Sequence, residues 1–202
     1  MTSDHDAQAP PSDAVTALAG APIEALRDRW RAELFDEVLP LLHARVVDHQ
    51  HGGFICTLDA DGTHGDDTKD TGFQGRGIWV YSFLYNNFGR QPEHLAIARA
   101  AVDLTLKSMP AGGDTSWPAR LARDGRPLAA PPETIAADVS IAEGLAEFSR
   151  AAGEPRYREL AKRILLRCRT IYDRSDYAPD IVRVYRGPAP VPFPAREARA
   201  PR

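Results

Sequence analysis

Two Asp-Gly turns, Asp61-Gly62 and Asp124-Gly125, stand 63 residues apart, and so do two prolines that open helical stretches, Pro92 and Pro155. His94 and Tyr157, then Ala98 and Ala161, follow in the same register. Self-similarity at a fixed period marks repeated supersecondary units. Each unit reads as helix, long loop with a hairpin turn, helix. Tetratricopeptide repeats are about 34 residues and HEAT-type repeats roughly 40–47, both too short for this period. The length suits an α/α toroid, in which inner helices ring a pocket and long loops crown one end.

Apolar spacing fills in the units. Ile23, Leu26, Trp30, Leu34, Val38 and Leu41 recur at three- and four-residue steps and predict a helix over 23–47, with a kink or break at Pro40. Phe54–Leu58 predicts a short strand before the Asp61-Gly62 turn. Residues 69–87 predict a helix that is apolar nearly all round, hence buried on most sides and suited to the inner ring. Further helices are predicted over 92–109, 134–151 and 155–174, with Gly153 as a C-terminal stop. The amphipathic helices 23–47, 92–109 and 155–174 suit the outer ring. The fold class expected is all-α, with two short β-hairpins in the crown loops.

Composition bounds the rest. The chain has 202 residues, 43% of them hydrophobic, enough for a packed core. A net charge of −3 supplies no basic field for nucleic acid. No apolar run approaches the roughly 18 residues of a membrane span, and residues 1–13 hold no signal-peptide core, so a cytoplasmic protein is expected. Cys56 and Cys168 have no zinc-type spacing. Residues 1–21 are acidic and small, and predict a disordered head. Residues 186–202 hold five Pro and four Arg, and predict a disordered tail or the out-of-frame translation of a GC-rich gene. The toroid domain is expected over 22–185.

The chemistry-bearing residues cluster on and around the predicted inner helix. Arg76, in Gln74-Gly75-Arg76, is either a fixed cation aimed at a sugar oxygen or developing oxyanion, or a tie to a loop carbonyl or carboxylate. Trp79, Tyr81 and Tyr85 suit either core packing or stacking on a sugar. Trp117 lies on a crown loop, where ligand contact is expected. Asp138 faces either the pocket or a structural partner. His43, His49 and His51 near Asp48 match no metal-ligand motif and read as a solvated helix end and loop. His64 and His94 are expected at the surface. Asp66, Asp67 and Asp70 around Lys69 read as a solvated loop. No phosphate loop, Cys-x-x-Cys or G-x-S-x-G motif is present, no metal or cofactor is expected, and no histidine falls in a predicted inner helix.

The segment HGGFICTLDADGTHGDDTKDTGFQGRGIWVYSFLYNNFG (51–89), followed by TSWPARLARDGRPLAAPPETIAADVSIAEGLAEFSRAAGEPRYRELA (115–161), resembles the N-terminal half of the N-acylglucosamine 2-epimerase family. The resemblance implies an (α/α)6 barrel, of which this chain holds about five of twelve helices. It also implies proton transfer beside the carbonyl of an open-chain sugar: an N-acetylhexosamine, a hexose or a disaccharide. Two histidines would trade the proton, a task suited to imidazole near neutral pH, and an Arg would stabilise the enediolate-like charge. Arg76 matches that Arg. Gln74, Trp79, Trp117 and Asp138 are the residues expected to line the substrate. The acid/base histidines belong to the family's second half and have no counterpart here.

Gly72 stands where many members of the family carry a Trp that lines the sugar pocket. Three readings follow. The first is a truncated epimerase or isomerase, inactive as this chain. The second is a non-catalytic half-barrel that binds a sugar or associates through its open edge. The third is a relative of (α/α)6 glycoside hydrolases or lyases, for which Asp138 and Glu143 are the nearest pair of carboxylates.

Overall fold

The computed structural model describes residues 15–59, 61–110, 116–128 and 134–177. The expected tail at 186–202, most of the expected head, and Glu133 lie outside the described residues. The chain divides into two compact units, residues 1–44 and residues 45–202.

In the first unit, β1 (Ala17–Leu18) pairs antiparallel with β2 (Ala21–Pro22). The head expected to be disordered through residue 21 is therefore paired over its last residues, around a turn in which Ala19 and Gly20 both take positive φ. Helix α1 (Ile23–Ala32) runs into a π-helical turn (Glu33–Val38) and on into α2 (Leu39–Arg45). Of the kink or break expected at Pro40, the break does not occur. Proline has no N–H to donate and its ring crowds the carbonyl four residues back; the helix widens to a π turn just before Pro40 and continues. The apolar stripe stays open, with Trp30 at 54% and Leu41 at 55% exposure, and only Leu39 of this helix is buried.

In the second unit, β3 (Lys69–Asp70) leads into α3 (Thr71–Asn87), α4 (Pro92–Lys107) follows, then β4 (Arg120–Leu121), α5 (Ala136–Ala152) and α6 (Pro155–Tyr172). Helix α3 packs on α4 and α5 packs on α6, while α3 and α5 lie side by side. Gly72 nears Ala137, Gly75 meets Ser140 and Ile141, and Asn86 donates to Glu147, so α3 and α5 run parallel. Parallel neighbours joined through antiparallel partners are what a ring of helical pairs requires. The core lies between the layers: Ile78, Leu84, Ala98, Val102, Ile141, Leu145 and Phe148 are almost wholly enclosed.

The repeat holds at the level of individual hydrogen bonds. The Asp61-Gly62 turn is closed by the Leu58↔His64 bridge and the Asp124-Gly125 turn by Leu121↔Pro127, again 63 residues apart. Asp59 N donates to Thr63 O and Gly62 N to Asp59 O; Ala122 N donates to Arg126 O and Gly125 N to Ala122 O. Asp61 accepts from Thr63 N as Asp124 accepts from Arg126 N. Gly62 and Gly125 have φ of 81° and 92°, a region that side-chain-bearing residues rarely adopt. His94 and Tyr157 occupy equivalent places, each packed edge-on against an aromatic of the adjoining helix, Tyr81 and Phe148. His94, expected at the surface, is therefore buried.

Two expectations about strands change. Phe54–Leu58 forms no strand; Phe54 only bridges Val47. In this unit the paired strands among the described residues are β3 and β4, which join the two crown loops: Lys69 opposes Leu121 and Asp70 opposes Arg120. The helix expected from residue 69 accordingly starts at Thr71. Among the described residues no sheet closes and no helix is long and apolar enough to cross a membrane.

Candidate functional site

The N-terminus of α3 is fixed from several directions. Asp70 is its N-cap, its carboxylate accepting from Phe73 N at 3.0 Å. Thr71 N donates to Ala119 O at 3.0 Å and its hydroxyl to Pro118 O. Gln74 is fully enclosed: its Oε1 accepts from Phe54 N at 2.7 Å and its Nε2 donates to Phe54 O at 2.9 Å. The side chain thereby imitates a strand edge for the Phe54 peptide.

Just before α3 lies a network that the sequence reading missed. Lys69 is fully buried, not solvated, and its Nζ donates to Asp48 Oδ2 at 2.9 Å, Gly52 O at 2.6 Å and Arg123 O at 2.6 Å. Three acceptors match the three protons of an ammonium group. Asp48, also buried, accepts in addition from Gln50 N, His51 N and the Arg123 guanidinium. Burial by itself would raise the Asp48 pKa; hydrogen bonds from Arg123, Lys69 and the His51 amide outweigh it and hold the carboxyl well below the usual carboxylate range. Burial pulls Lys69 down, against the raising effect of Asp48. The sequence cues were that Lys69 is one of three lysines in an Arg-rich chain and that it falls within the segment 51–89 that carries the family resemblance.

On the far side of α3 the residues are open. Phe73 is 47% and Trp79 40% exposed, Arg76 between them is exposed, and Phe83 is half-buried. Positions 73, 76, 79 and 83 share one helical face. The Arg76 guanidinium lies 5.3 Å over the Phe73 ring, and Trp79 stacks on Phe83 at 4.8 Å between centroids. Among the described residues no carboxylate or loop carbonyl ties Arg76, so its structural alternative finds no partner there. The helix expected to be buried on most sides thus keeps one aromatic face open. Phe73 and Phe83 went unremarked in the sequence, although their spacing from Arg76 is legible there. On α5, Glu143 is exposed and Asp138 is not.

Trp117 and Asp138, expected to line the substrate, sit together inside the wall. Trp117 is 1% exposed; its backbone N–H donates to Asp138 Oδ1 at 2.9 Å and its indole N–H to Thr105 O at 3.2 Å. Asp138 Oδ2 lies 2.9 Å from Arg167, whose guanidinium carbon in turn lies 5.7 Å from the Trp117 ring centroid. A buried carboxylate needs such partners. Of the five predicted site residues, the structure places Arg76 and Trp79 on a common open face. Gln74, Trp117 and Asp138 are enclosed, with polar atoms engaged by the protein. His49 and His51 are exposed and His43 half-buried. Among the described residues no group of three or more His, Cys, Asp or Glu converges.

No family model matches the chain. Among curated proteins it is 32% identical over 150 residues to N-acylglucosamine 2-epimerase of Bos taurus, covering 71% of this chain and 34% of that protein. To the N-acylglucosamine 2-epimerase of Homo sapiens it is 33% identical over 140 residues, 67% of this chain and 32% of the relative. The chain therefore spans about a third of the length of the curated relatives it matches. Among solved structures it is similar to a sugar epimerase from a ruminal bacterium, with a TM-score of 0.63 and 22% identity over 70% of this chain and 36% of the other. The cellobiose 2-epimerase of Spirochaeta thermophila gives a TM-score of 0.60 and 22% identity over 70% and 35% of the two chains. These likenesses show the fold: an all-α chain with no closed sheet among its described residues, built like part of the helical ring of those enzymes. Over about 70% of its length, this chain belongs to the N-acylglucosamine 2-epimerase family.

Proposed function

We propose that this chain forms one side of a sugar 2-epimerase site, with Arg76 as the cation that stabilises the charge developing when the C2 proton of an open-chain sugar is removed. The single observation that carries this is the placement of Arg76. It is exposed on an aromatic face, without a carboxylate partner among the described residues, on a helix whose opposite side is anchored by the buried polar contacts of Gln74. Curated relatives are named N-acylglucosamine 2-epimerase, and a structural neighbour is a cellobiose 2-epimerase. An N-acylhexosamine, hexose or disaccharide is accordingly the substrate class.

The chemistry follows from charge. When the C2–H bond breaks, its electron pair moves into the C1–C2 bond and the carbonyl electrons move to oxygen. A guanidinium offers N–H donors in a fixed fork to that oxygen and its neighbour. Reprotonation on the opposite face inverts C2. Neither α3 nor α5 carries a histidine. The acid and base are therefore proposed to come from inner helices outside these residues, and the chain is proposed to be inactive by itself.

The test is solvent exchange. N-acetylmannosamine in D2O should take up no deuterium at C2 with this chain alone. It should do so once the remaining inner helices are supplied by fusion to the second half of a curated relative, and Arg76→Ala in that fusion should abolish the exchange. Exchange by the chain alone would overturn the assignment of acid and base; undiminished exchange in the Arg76→Ala fusion would overturn the role of Arg76. A second reading, a non-catalytic module that associates with another chain, draws support from Leu165 and Leu166, exposed on α6. It predicts sugar binding or self-association in sedimentation with no exchange in either form.

A further inference from the structure

Arg76 does not stand alone on its face. Phe73 precedes it by one helical step, and the guanidinium lies over the Phe73 ring at 5.3 Å. An arginine side chain on an open helix face has many rotamers, and an enediolate-type oxygen needs a donor already in place. A ring beneath the guanidinium removes much of that freedom. A guanidinium held against a ring by cation–π attraction still has N–H donors to offer a second group. Phe73 itself is held: its N–H donates to the Asp70 N-cap, and Asp70 pairs with β4. Its ring is nearly half exposed, an arrangement that core packing does not explain.

We infer that Phe73 is a positioning residue of the sugar site, fixing Arg76 so that its N–H edge meets the reacting oxygens while the exposed ring presents an apolar surface to the C–H face of the same sugar. The inference rests on the proposed role of Arg76. It assigns to Phe73 a task distinct from stability: the preference of the site for negative charge at the reacting end.

The experiment compares two open-chain probes, N-acetylmannosaminic acid, an anion, and N-acetylmannosaminitol, its neutral counterpart. Binding of each to the chain is followed by NMR titration for wild type, Arg76→Ala, Phe73→Ala, Phe73→Leu and Phe73→Trp, with thermal unfolding of each variant recorded alongside. The wild type should prefer the anion. Phe73→Leu, which keeps apolar bulk without a π face, and Phe73→Ala should lower that preference about threefold or more, as expected of an exposed cation–π contact. Phe73→Trp should retain it. If Arg76→Ala abolishes the preference while Phe73→Leu leaves it unchanged, the inference is overturned and the reading of Arg76 stands. If Arg76→Ala also leaves the preference unchanged, both fall. A loss of binding that tracks only loss of thermal stability, and that Phe73→Trp does not rescue, likewise overturns the positioning role.

Discussion

Lys69 donates to Asp48 at 2.9 Å with both side chains wholly enclosed, joining the segment that leads into α3 to a loop 21 residues earlier. Removing one partner of a buried ion pair strands the other charge, a cost of about 3–5 kcal/mol. Lys69→Met and Asp48→Asn should each lower the free energy of denaturant unfolding by about that amount. The double variant Asp48→Asn/Lys69→Met should cost less than the two single changes together, because neither buried charge of the Lys69–Asp48 pair is then left without the other.

Asp48 also sets an acid limit. Its carboxyl is held below its ordinary value of 3.8 in the folded state. A depressed carboxylate pKa contributes stability that is fully present above the unfolded value and is lost as pH falls toward the folded one. Wild-type stability should therefore decline steeply below about pH 4. Asp48→Asn should show a lower plateau at neutral pH and a shallower acid limb. Equal slopes in the two proteins would refute this account of the network.

Helices α3 and α5 approach through glycine. A Cβ on Gly75 would stand 2.4 Å from the Ser140 carbonyl carbon, and one on Gly144 would stand 2.4 Å from the Gly75 carbonyl oxygen. Gly75→Ala and Gly144→Ala should each destabilise by about 1–3 kcal/mol, since backbone must shift. Gly72→Ala is the control. Its Cβ would meet only a side-chain oxygen at 3.2 Å and Ala137 at 3.7 Å or more, and alanine gains helix propensity there. Unfolding melts should show Gly72→Ala near or above wild type.

The two repeated turns offer a matched pair. A Cβ on Gly62 would meet only the tip of Arg45 at 3.9 Å, whereas one on Gly125 would press on Leu104 at 3.3 Å. Both positions have positive φ, so alanine costs about 1 kcal/mol at either. Gly125→Ala should cost measurably more, because packing adds to backbone strain. Equal losses in denaturant titrations would show that Leu104 yields freely.

Both thiols should be sluggish. Burial pushes the Cys168 thiol up to about 11, and burial raises that of Cys56 as well. Alkylation near pH 7.5, followed by mass spectrometry, should label Cys168 only on unfolding and Cys56 more slowly than a free thiol.

The repeat made the helices legible. Pro92 and Pro155 are first-turn residues because a missing N–H costs nothing there, and the Asp-Gly turns need positive φ. Those are local causes, and local causes can be read from a chain. Lys69, Trp117 and Asp138 escaped because their environments are non-local. Lys69 is enclosed by residues 21 and 54 positions away, and Asp138 finds its partners on α6 and on the loop before α5. Exposure of α3 escaped for a related reason: an apolar sequence does not say which face a neighbouring helix covers. Arg76 was placed by motif, and Phe73 beneath it only by geometry.

The central claim is that a sugar meets the open face of α3 and not the interior of the wall. The chain's three tryptophans report on it separately: Trp30, in the other unit; Trp79, on the face; and Trp117, enclosed with its indole bonded to Thr105. Titrating N-acetylmannosamine into nitrogen-15-labelled protein and following the three indole N–H signals tests it directly. The account predicts that the Trp79 signal shifts in a saturable manner, is unmoved in Arg76→Ala, and that Trp117 stays in place. A saturable shift of Trp117 with Trp79 unmoved would contradict it.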